Sequence, residues 1–189
     1  RLSRLRLVER RVPVTERPER SKRGRYRIRD PFFRFWFRFL YGSSDRYDQF
    51  GEGAYERLLE PHMPDFVAPA FEDLCCRALR TLYNEYPVVD VGQWWYQEYE
   101  VDVVGLTDED VLIAGECKYQ ASPVGFSALS SLETHVEQLR WTPDRDEDRI
   151  CEYVLFSRSG FTDAVRDVAT RRSNLRLYSL SDVFEAMTD

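Results

Sequence analysis

The sequence lacks several features that would place it in a familiar class of protein. No run of about 18 apolar residues occurs, so the sequence predicts no membrane-spanning helix. No secretory signal is visible, and the chain begins at Arg1 without a methionine, so we expect a piece of a longer protein. The pattern G-x-x-x-x-G-K-[ST] of phosphate-binding loops is also missing, and we therefore expect no ATP binding.

Residue types that bind zinc or form disulfide frameworks are scarce. The two histidines, His62 and His135, are too few for a histidine-based zinc site. The four cysteines show no metal-binding spacing and stand mostly in apolar surroundings, which predicts free thiols in a reducing cytoplasm. These residues are Cys75, Cys76, Cys117 and Cys151. Among the 27 basic residues only Lys22 and Lys118 are lysines.

Charge is unevenly distributed along the chain. Residues 1–50 contain 15 Lys and Arg against 6 Asp and Glu, whereas residues 51–189 contain 12 against 27. The basic segment predicts an anionic partner, in the first place nucleic acid. The residues expected to contact phosphates are Arg10, Arg11, Arg17, Arg20, Lys22, Arg23 and Arg25. The alternative is that this basic segment is solvent-exposed and that its positive charge offsets the negative charge of an acidic neighbouring region.

One short apolar strand ends in charged residues. The run Asp110–Gly115 has the pattern of a buried strand, and it continues into Glu116, Cys117 and Lys118. Residues two apart on a strand share a face, so Glu116 and Lys118 point to one side and Cys117 to the other. A carboxylate and an ammonium in this position are costly to bury unless they pair or bind something.

The preceding predicted strand, Tyr99–Leu106, carries a second carboxylate, Asp102. If the two strands are adjacent, Asp102, Glu116 and Lys118 share one face. Such a group suits Mg²⁺ or Mn²⁺, because hard cations take carboxylate, water and phosphate oxygens. The lysine could then orient a hydrolytic water or stabilise charge on a phosphate. A buried Glu–Lys pair in an ordinary sheet is the alternative.

A long helix is predicted before these strands, at about residues 65–86. Its apolar stripe contains Phe71, Leu74, Cys75, Ala78 and Leu82. At about 100° per residue, Glu72 lies at the edge of this stripe, where the helix meets the core. Glu72 is therefore either an ordinary helix-edge glutamate or a third acidic residue of the same site.

The remaining pattern predicts an α/β fold. After the long helix, the order is three strands, a helix, a strand, a helix, a strand and a final helix, with the first strand broken at Gly92. This order is typical of a mixed sheet flanked by helices. Upstream, the sequence predicts the end of a helix, a hairpin, a capped aromatic helix, a loop and a short helix. These segments are residues 1–7, 8–28, 32–41, 43–53 and 54–60.

Together these pieces resemble the PD-(D/E)XK, or restriction-endonuclease-like, nuclease superfamily. Residues 64–189 resemble in particular the C-terminal domain of unknown function of archaeal AAA-type (DEXX-box) ATPases, and residues 1–41 are similar to the winged-helix join upstream of it. The matching motifs are Phe71-Glu72, Gly92-Gln93-Trp94-Trp95, Glu100-Val101-Asp102-Val103-Val104 and Gly115-Glu116-Cys117-Lys118-Tyr119. A further match is the Asp-Pro-Phe-Phe-x-Phe-Trp-Phe segment at residues 30–37.

The resemblance implies an organisation in three parts. Residues 1–30 would be a winged-helix remnant, residues 31–63 a helical connector, and residues 64–189 a restriction-endonuclease-like domain. It also implies partners, namely DNA and the ATPase domain of the same full-length chain. No membrane partner is expected, and homodimer formation is left open.

The resemblance further implies a set of site residues. Glu72, Asp102, Glu116 and Lys118 occupy the active-site positions, and none of the four is substituted. The three carboxylates and the carbonyl of Cys117 would bind Mg²⁺ or Mn²⁺, while Lys118 would position the hydrolytic water.

Three functions follow from these features. The first is a Mg²⁺-dependent phosphodiesterase, that is, a nuclease acting on DNA, and the intact Lys118 favours it. The alternative is a catalytically inactive nuclease-fold module that docks DNA or a partner to the ATPase. The third is an interaction domain that covers the ATPase without touching nucleic acid, which the acidic balance of residues 51–189 favours.

Overall fold

The structure, a computed structural model, describes residues 5–141 and 149–188. Of the helix end predicted at residues 1–7, residues 1–4 lie outside the described part, and residues 5–7 form a turn and a bend instead of a helix. None of the helices in the described part combines the length and apolarity that crossing a bilayer requires.

The described chain forms two units. The first consists of the residues up to Val12 together with Arg17–Val67. The second consists of Pro13–Glu16 together with Ala68 and the residues that follow it.

A two-stranded hairpin lies in the first unit. Strand β1 (Val8–Arg11) pairs antiparallel with β2 (Arg25–Ile28), which confirms the predicted hairpin. The guanidinium of Arg10 donates to the carbonyl oxygens of Pro18 at 2.7 Å and of Ser21 at 2.6 Å. Arg10 therefore closes the loop that joins the two strands.

A capped aromatic helix follows the hairpin. The carboxylate of Asp30 accepts a hydrogen bond from the backbone N–H of Phe32 at 2.7 Å and so caps α1 (Pro31–Phe35). The chain continues as a π-helical turn, Trp36–Leu40. The helix predicted at residues 32–41 is thus confirmed.

The loop predicted at residues 43–53 is wrong. This segment forms helix α2 (Ser44–Phe50) and a 3₁₀ turn (Gly51–Gly53). The carbonyl of Ser43 accepts the first backbone hydrogen bond of the helix, from Tyr47. Serine and aspartate favour both turns and helix starts, because their short polar side chains form hydrogen bonds with nearby backbone groups. The sequence pattern here was interpreted as a turn, whereas it marks the start of a helix.

Two prolines in the next part of the chain do not interrupt its helical segments. Pro61 and Pro64 lie in the first turns of helical segments, where a backbone N–H has no intrahelical acceptor to lose. The helical segments, in order, are the π-helical turn Tyr55–Leu59, the 3₁₀ turn Glu60–His62 and helix α3 (Met63–Leu82).

The second unit contains a five-stranded mixed sheet in the order β3-β4-β5-β6-β7. The first three strands are antiparallel neighbours, and the last three are parallel neighbours. The strands are β3 (Val88–Tyr96), β4 (Tyr99–Thr107), β5 (Val111–Lys118), β6 (Ile150–Ser157) and β7 (Leu175–Ser179). The break predicted at Gly92 is a bulge between Gly92 and Trp94 inside one continuous strand.

Helices cover both faces of this sheet, as predicted. Apolar side chains of α3 and α6 pack with Ile113 and Cys117, whereas those of α4 and α5 pack with Leu112 and Ala114. Since neighbouring strand residues alternate between faces, these two groups lie on opposite sides of β5. The three further helices are α4 (Phe126–Gln138), α5 (Asp163–Arg171) and α6 (Leu180–Glu185). The predicted α/β fold and its order of elements are confirmed.

Two strand glycines are tightly enclosed. A Cβ atom at Gly105 would lie 2.7 Å from Cδ2 of Leu79, and one at Gly115 would lie 2.8 Å from Cγ1 of Val154. Gly115 would also meet the Cβ of Val103 at 3.1 Å. Both positions therefore let the sheet pack more closely than any larger residue would allow.

We expect Gly115→Ala to destabilise the second unit by about 1–3 kcal/mol, the usual cost of overpacking a closed core. Urea unfolding followed by circular dichroism measures this free energy. Gly53→Ala is the control, because its Cβ would have only the Nε of Arg57 within 4 Å, and it should change stability by less than about 0.5 kcal/mol. Equal effects of the two substitutions would contradict the prediction.

Candidate active site

The pairing of β4 with β5 brings two acidic residues together. Val103 is opposite Gly115, and extending this register by one residue places Asp102 opposite Glu116. The carboxylate of Asp102 accepts a hydrogen bond from the backbone N–H of Cys117 at 2.9 Å. The predicted adjacency of Asp102 and Glu116 thus follows directly from the antiparallel pairing.

Glu116 and Lys118 form an ion pair, with 2.5 Å between Nζ and Oε1. Glu116 is only 8% exposed, whereas the side chain of Lys118 is 39% exposed. Burial opposes the charge on Lys118, but the hydrogen bond and charge of Glu116 outweigh it and raise the lysine pKa. Lys118 is therefore a stable ammonium at neutral pH, held on one side and open to solvent on the other.

Glu72 reaches this region from helix α3. Its carboxylate accepts a hydrogen bond from the side-chain amide of Gln93 at 2.7 Å. Gln93 lies in the β3 bulge, where its carbonyl also accepts from the backbone N–H of Val14 at 2.9 Å. In the sequence, Gln93 was named only within the motif Gly92-Gln93-Trp94-Trp95 and was given no role, although the glycine before it marks a bulge in a strand.

Asp102 and Glu72 lie close enough to other carboxylates for their pKa values to be raised. Burial, reinforced by the charges of Glu116 and Glu72, raises the pKa of Asp102 to about 8, although the N–H of Cys117 and the charge of Lys118 oppose this. Burial, reinforced by the charges of Glu100, Asp73 and Glu116, raises the pKa of Glu72 to about 7. The site therefore resists carrying all of its negative charges at once.

The thiol of Cys117 faces away from this acidic group. It is buried beneath α3 beside Cys75, and burial together with the hydrogen bond to Cys75 raises its pKa well above the ordinary thiol value. A protonated, enclosed thiol is a poor metal ligand. Any metal contact by Cys117 would come from its backbone carbonyl, as the sequence analysis expected.

The donor chemistry of the site fits a hard cation. Carboxylates that are at least partly buried and repel one another gain most from a positive charge among them. Within the described ranges, no three or more His, Cys, Asp or Glu side chains are grouped so that they could hold a metal ion. Mg²⁺ does not require such a group, because it is usually bound by one or two carboxylates together with waters and substrate phosphate.

An arginine missed by the sequence analysis lies beside the site. The guanidinium of Arg158 is 4.8 Å from the ring centroid of Tyr119, and the backbone N–H of Arg158 donates to the carbonyl of Lys118 at 3.1 Å. Arg158 is exposed, so its N–H groups are accessible to an anion. No local pattern could have identified it, since the parallel pairing of β5 with β6 joins residues about forty positions apart.

The predicted phosphate-contacting residues of the first unit differ in their surroundings. Arg10 is engaged in closing the hairpin loop, and Arg11 forms an ion pair with Glu9 at 2.9 Å. The remaining members of the predicted set are exposed. They are Arg17, Arg20, Lys22, Arg23 and Arg25.

Parts of the chain are similar in sequence to other proteins. A family model described as archaeal and bacterial proteins of unknown function, DUF234, matches residues 36–134. An uncharacterized protein of Methanocaldococcus jannaschii is 30% identical over 108 residues, which are 54% of this chain and 24% of that protein. The chain thus spans about a quarter of the length of this curated relative. No solved structure matches it.

The raised pKa of Asp102 predicts that stability falls as pH rises. The folded chain holds this proton up to about pH 8, whereas an unfolded chain releases it near pH 3.8. The stabilisation is therefore complete below pH 3.8 and is lost as pH rises towards 8. Asp102→Asn keeps an oxygen that can accept from the Cys117 N–H, and it has no carboxyl group to ionise. Its stability should therefore not fall in this way as pH rises. At pH 8 in EDTA it should be more stable than the parent by a few kcal/mol.

Thermal melts at pH 5 and pH 8 in EDTA measure this difference. Asp108→Asn, in the exposed turn before β5, is the control and should follow the parent. Identical pH dependence of the parent and Asp102→Asn would contradict the prediction.

Proposed function

We propose a catalytic role for this chain, which belongs to the DUF234 family of archaeal and bacterial proteins of unknown function. The chain is a divalent-metal-dependent phosphodiesterase that acts on DNA, with a restriction-endonuclease-like fold of the PD-(D/E)XK superfamily. It forms the C-terminal part of a longer archaeal ATPase. The observation that carries this proposal is the convergence of Asp102, Glu116 and the paired Lys118 at the end of β5.

The acidic residues define where a metal ion would bind. Asp102 and Glu116, with Glu72 and the carbonyl of Cys117 beside them, would hold Mg²⁺ or Mn²⁺. When bound, this ion neutralises charge on the phosphate and lowers the pKa of a water molecule. Gln93 keeps the Glu72 carboxylate oriented through its hydrogen bond, as an outer residue commonly does around metal ligands.

Lys118 acts through its protonated ammonium. Because Glu116 raises its pKa, Lys118 donates hydrogen bonds and does not accept a proton at neutral pH. Its solvent-facing side would hold the hydrolytic water in line with the phosphorus and stabilise charge on a phosphate oxygen. Arg158, whose backbone N–H donates a hydrogen bond to the carbonyl of Lys118, would contact a neighbouring phosphate of the DNA strand.

The non-catalytic module is the second candidate. It is favoured by the fact that Glu116 and Glu72 already have protein partners, Lys118 and Gln93, and need no metal to satisfy them. In that case the same fold would dock DNA or a protein to the ATPase without cutting either. Measurements of DNA cleavage and of metal binding distinguish the two functions.

We expect the purified chain to nick plasmid DNA or cut single-stranded DNA with Mg²⁺ or Mn²⁺, and EDTA to abolish the reaction. Lys118→Ala should lower the cleavage rate by roughly 100-fold or more, because removing one positioned group that stabilises charge in the transition state typically lowers the rate by that factor. Arg140→Ala, an exposed change remote in sequence from the site, should cleave at the parent rate. Gel assays under single-turnover conditions measure the rates.

Melting curves must accompany these assays, because removing one partner of a buried ion pair costs up to about 3–5 kcal/mol. If Lys118→Ala is folded but does not cleave DNA, while the parent does cleave it, the result supports a catalytic role. Mn²⁺ should also raise the melting temperature of the parent by mass action, and not that of Glu116→Gln. A parent that gains this stability yet cleaves no DNA with any metal would exclude the nuclease in favour of the module.

Nucleic-acid binding by the basic hairpin is a separate prediction. Replacing Arg17, Arg20 and Lys22 together by glutamine should weaken DNA binding and reduce the slope of log K against log salt by up to about 3, since each phosphate contact contributes about 0.9. Fluorescence anisotropy over a salt series measures the slope. The control removes three charges from the second unit, at Arg77, Arg140 and Arg171, and an equal loss there would show that only net charge matters.

A further inference from the structure

A cavity of about 230 Å³ lies within the first unit, among the helical segments of residues 36–62. Its floor is apolar, formed by Phe39 and Leu58, which are 7% and 9% exposed. Around this floor stand three arginines, each from a different helical segment. They are Arg38, Arg46 and Arg57. Ser43 and His62 complete the lining with a hydroxyl and a ring nitrogen.

The positive charges of this cavity are not balanced inside it. Among the described residues, none of the three arginines forms an ion pair with a carboxylate. Five acidic residues occur between positions 45 and 60, yet none of them lines the cavity. They are Asp45, Asp48, Glu52, Glu56 and Glu60. The three arginines are exposed, so solvent weakens the repulsion between their guanidinium groups, and an anion in the cavity would reduce it further.

Aromatic rings orient two of the guanidinium groups. Arg57 lies over the ring of Phe50, 5.1 Å from its centroid, and Arg38 lies over the ring of Phe39 at 5.8 Å. A guanidinium stacked on a ring keeps its N–H groups free at the edges, where they can donate to an oxyanion. The donors are therefore partly positioned before any ligand binds, which lowers the entropy cost of binding.

From this arrangement we infer a binding site for a phosphate monoester. Arginine matches phosphate geometry through paired hydrogen bonds, and a monoester presents three free oxygens and two negative charges to three guanidinium groups. A carboxylate or an internal phosphodiester offers two oxygens and one charge. The cavity is smaller than the roughly 300–1,000 Å³ of pockets that enclose a whole small molecule, so it takes the phosphate group and leaves the rest of the ligand outside.

This site does not depend on the proposed nuclease activity, because its residues belong to the first unit and the acidic group to the second. Isothermal titration calorimetry with inorganic phosphate, on the full chain in EDTA, tests it without any metal-dependent reaction. We expect saturable binding that Arg46→Gln and Arg57→Gln each weaken by about tenfold or more. Arg29→Gln removes one exposed charge from the same unit outside the cavity and should bind as the parent does.

Melting temperatures in phosphate-free buffer provide a second readout. Since each substitution removes one of three like charges, the two glutamine variants should melt at or above the parent temperature. A fall in both would mean that the arginines serve packing, and would overturn the assignment. So would the absence of saturable phosphate binding by the parent, or an equal loss of affinity in Arg29→Gln.

Competition experiments identify the source of the phosphate. A 5′-phosphorylated oligonucleotide that displaces inorganic phosphate at lower concentration than its 5′-hydroxyl counterpart would assign the site to nucleic-acid ends. Displacement by pyrophosphate and by neither oligonucleotide would assign it to small phosphate compounds. Equal displacement by both oligonucleotides would show that internal phosphodiesters suffice, which overturns the monoester assignment.

Discussion

The register between β4 and β5 determines where the charged groups of the second unit lie. A slip of one residue would turn Asp102 to the opposite face from Glu116 and move every side chain of that strand to the other side of the sheet. Close packing at Gly105 and Gly115 helps to fix that register, because no larger side chain fits between the strands and their neighbours. The acidic group therefore depends on two residues that have no side chain of their own.

The same register explains the unusual electrostatics. Asp102 and Glu116 face each other, Glu72 adds a third carboxylate, and Lys118 forms an ion pair with Glu116. Natural proteins seldom keep such repulsion where it serves no purpose, since it lowers stability at neutral pH. The first unit shows the opposite imbalance on a smaller scale, with arginines around a cavity and no acid among them. Each unit thus concentrates charge of one sign at one place.

The sequence predicted those parts of the site that depend on local spacing. Glu116 and Lys118 share a face because they are two residues apart, and Asp102 joins them because a short turn makes adjacent strands antiparallel. The role of Gln93 was missed because it depends on a bulge, and Arg158 was missed because a parallel crossover positions it. The position of Arg46 in the cavity was missed for a different reason, because the start of its helix contains serine and aspartate, which also favour turns.

The scarcity of lysine has a practical consequence for labelling. Of the two side-chain amines, the one at Lys118 is held as an ammonium by Glu116, and amine-reactive esters attack only the neutral form. Lys22 is exposed on the hairpin loop. An amine-reactive fluorophore should thus attach among side chains chiefly at Lys22, which would give a spectroscopic reporter on the basic hairpin without any engineered residue.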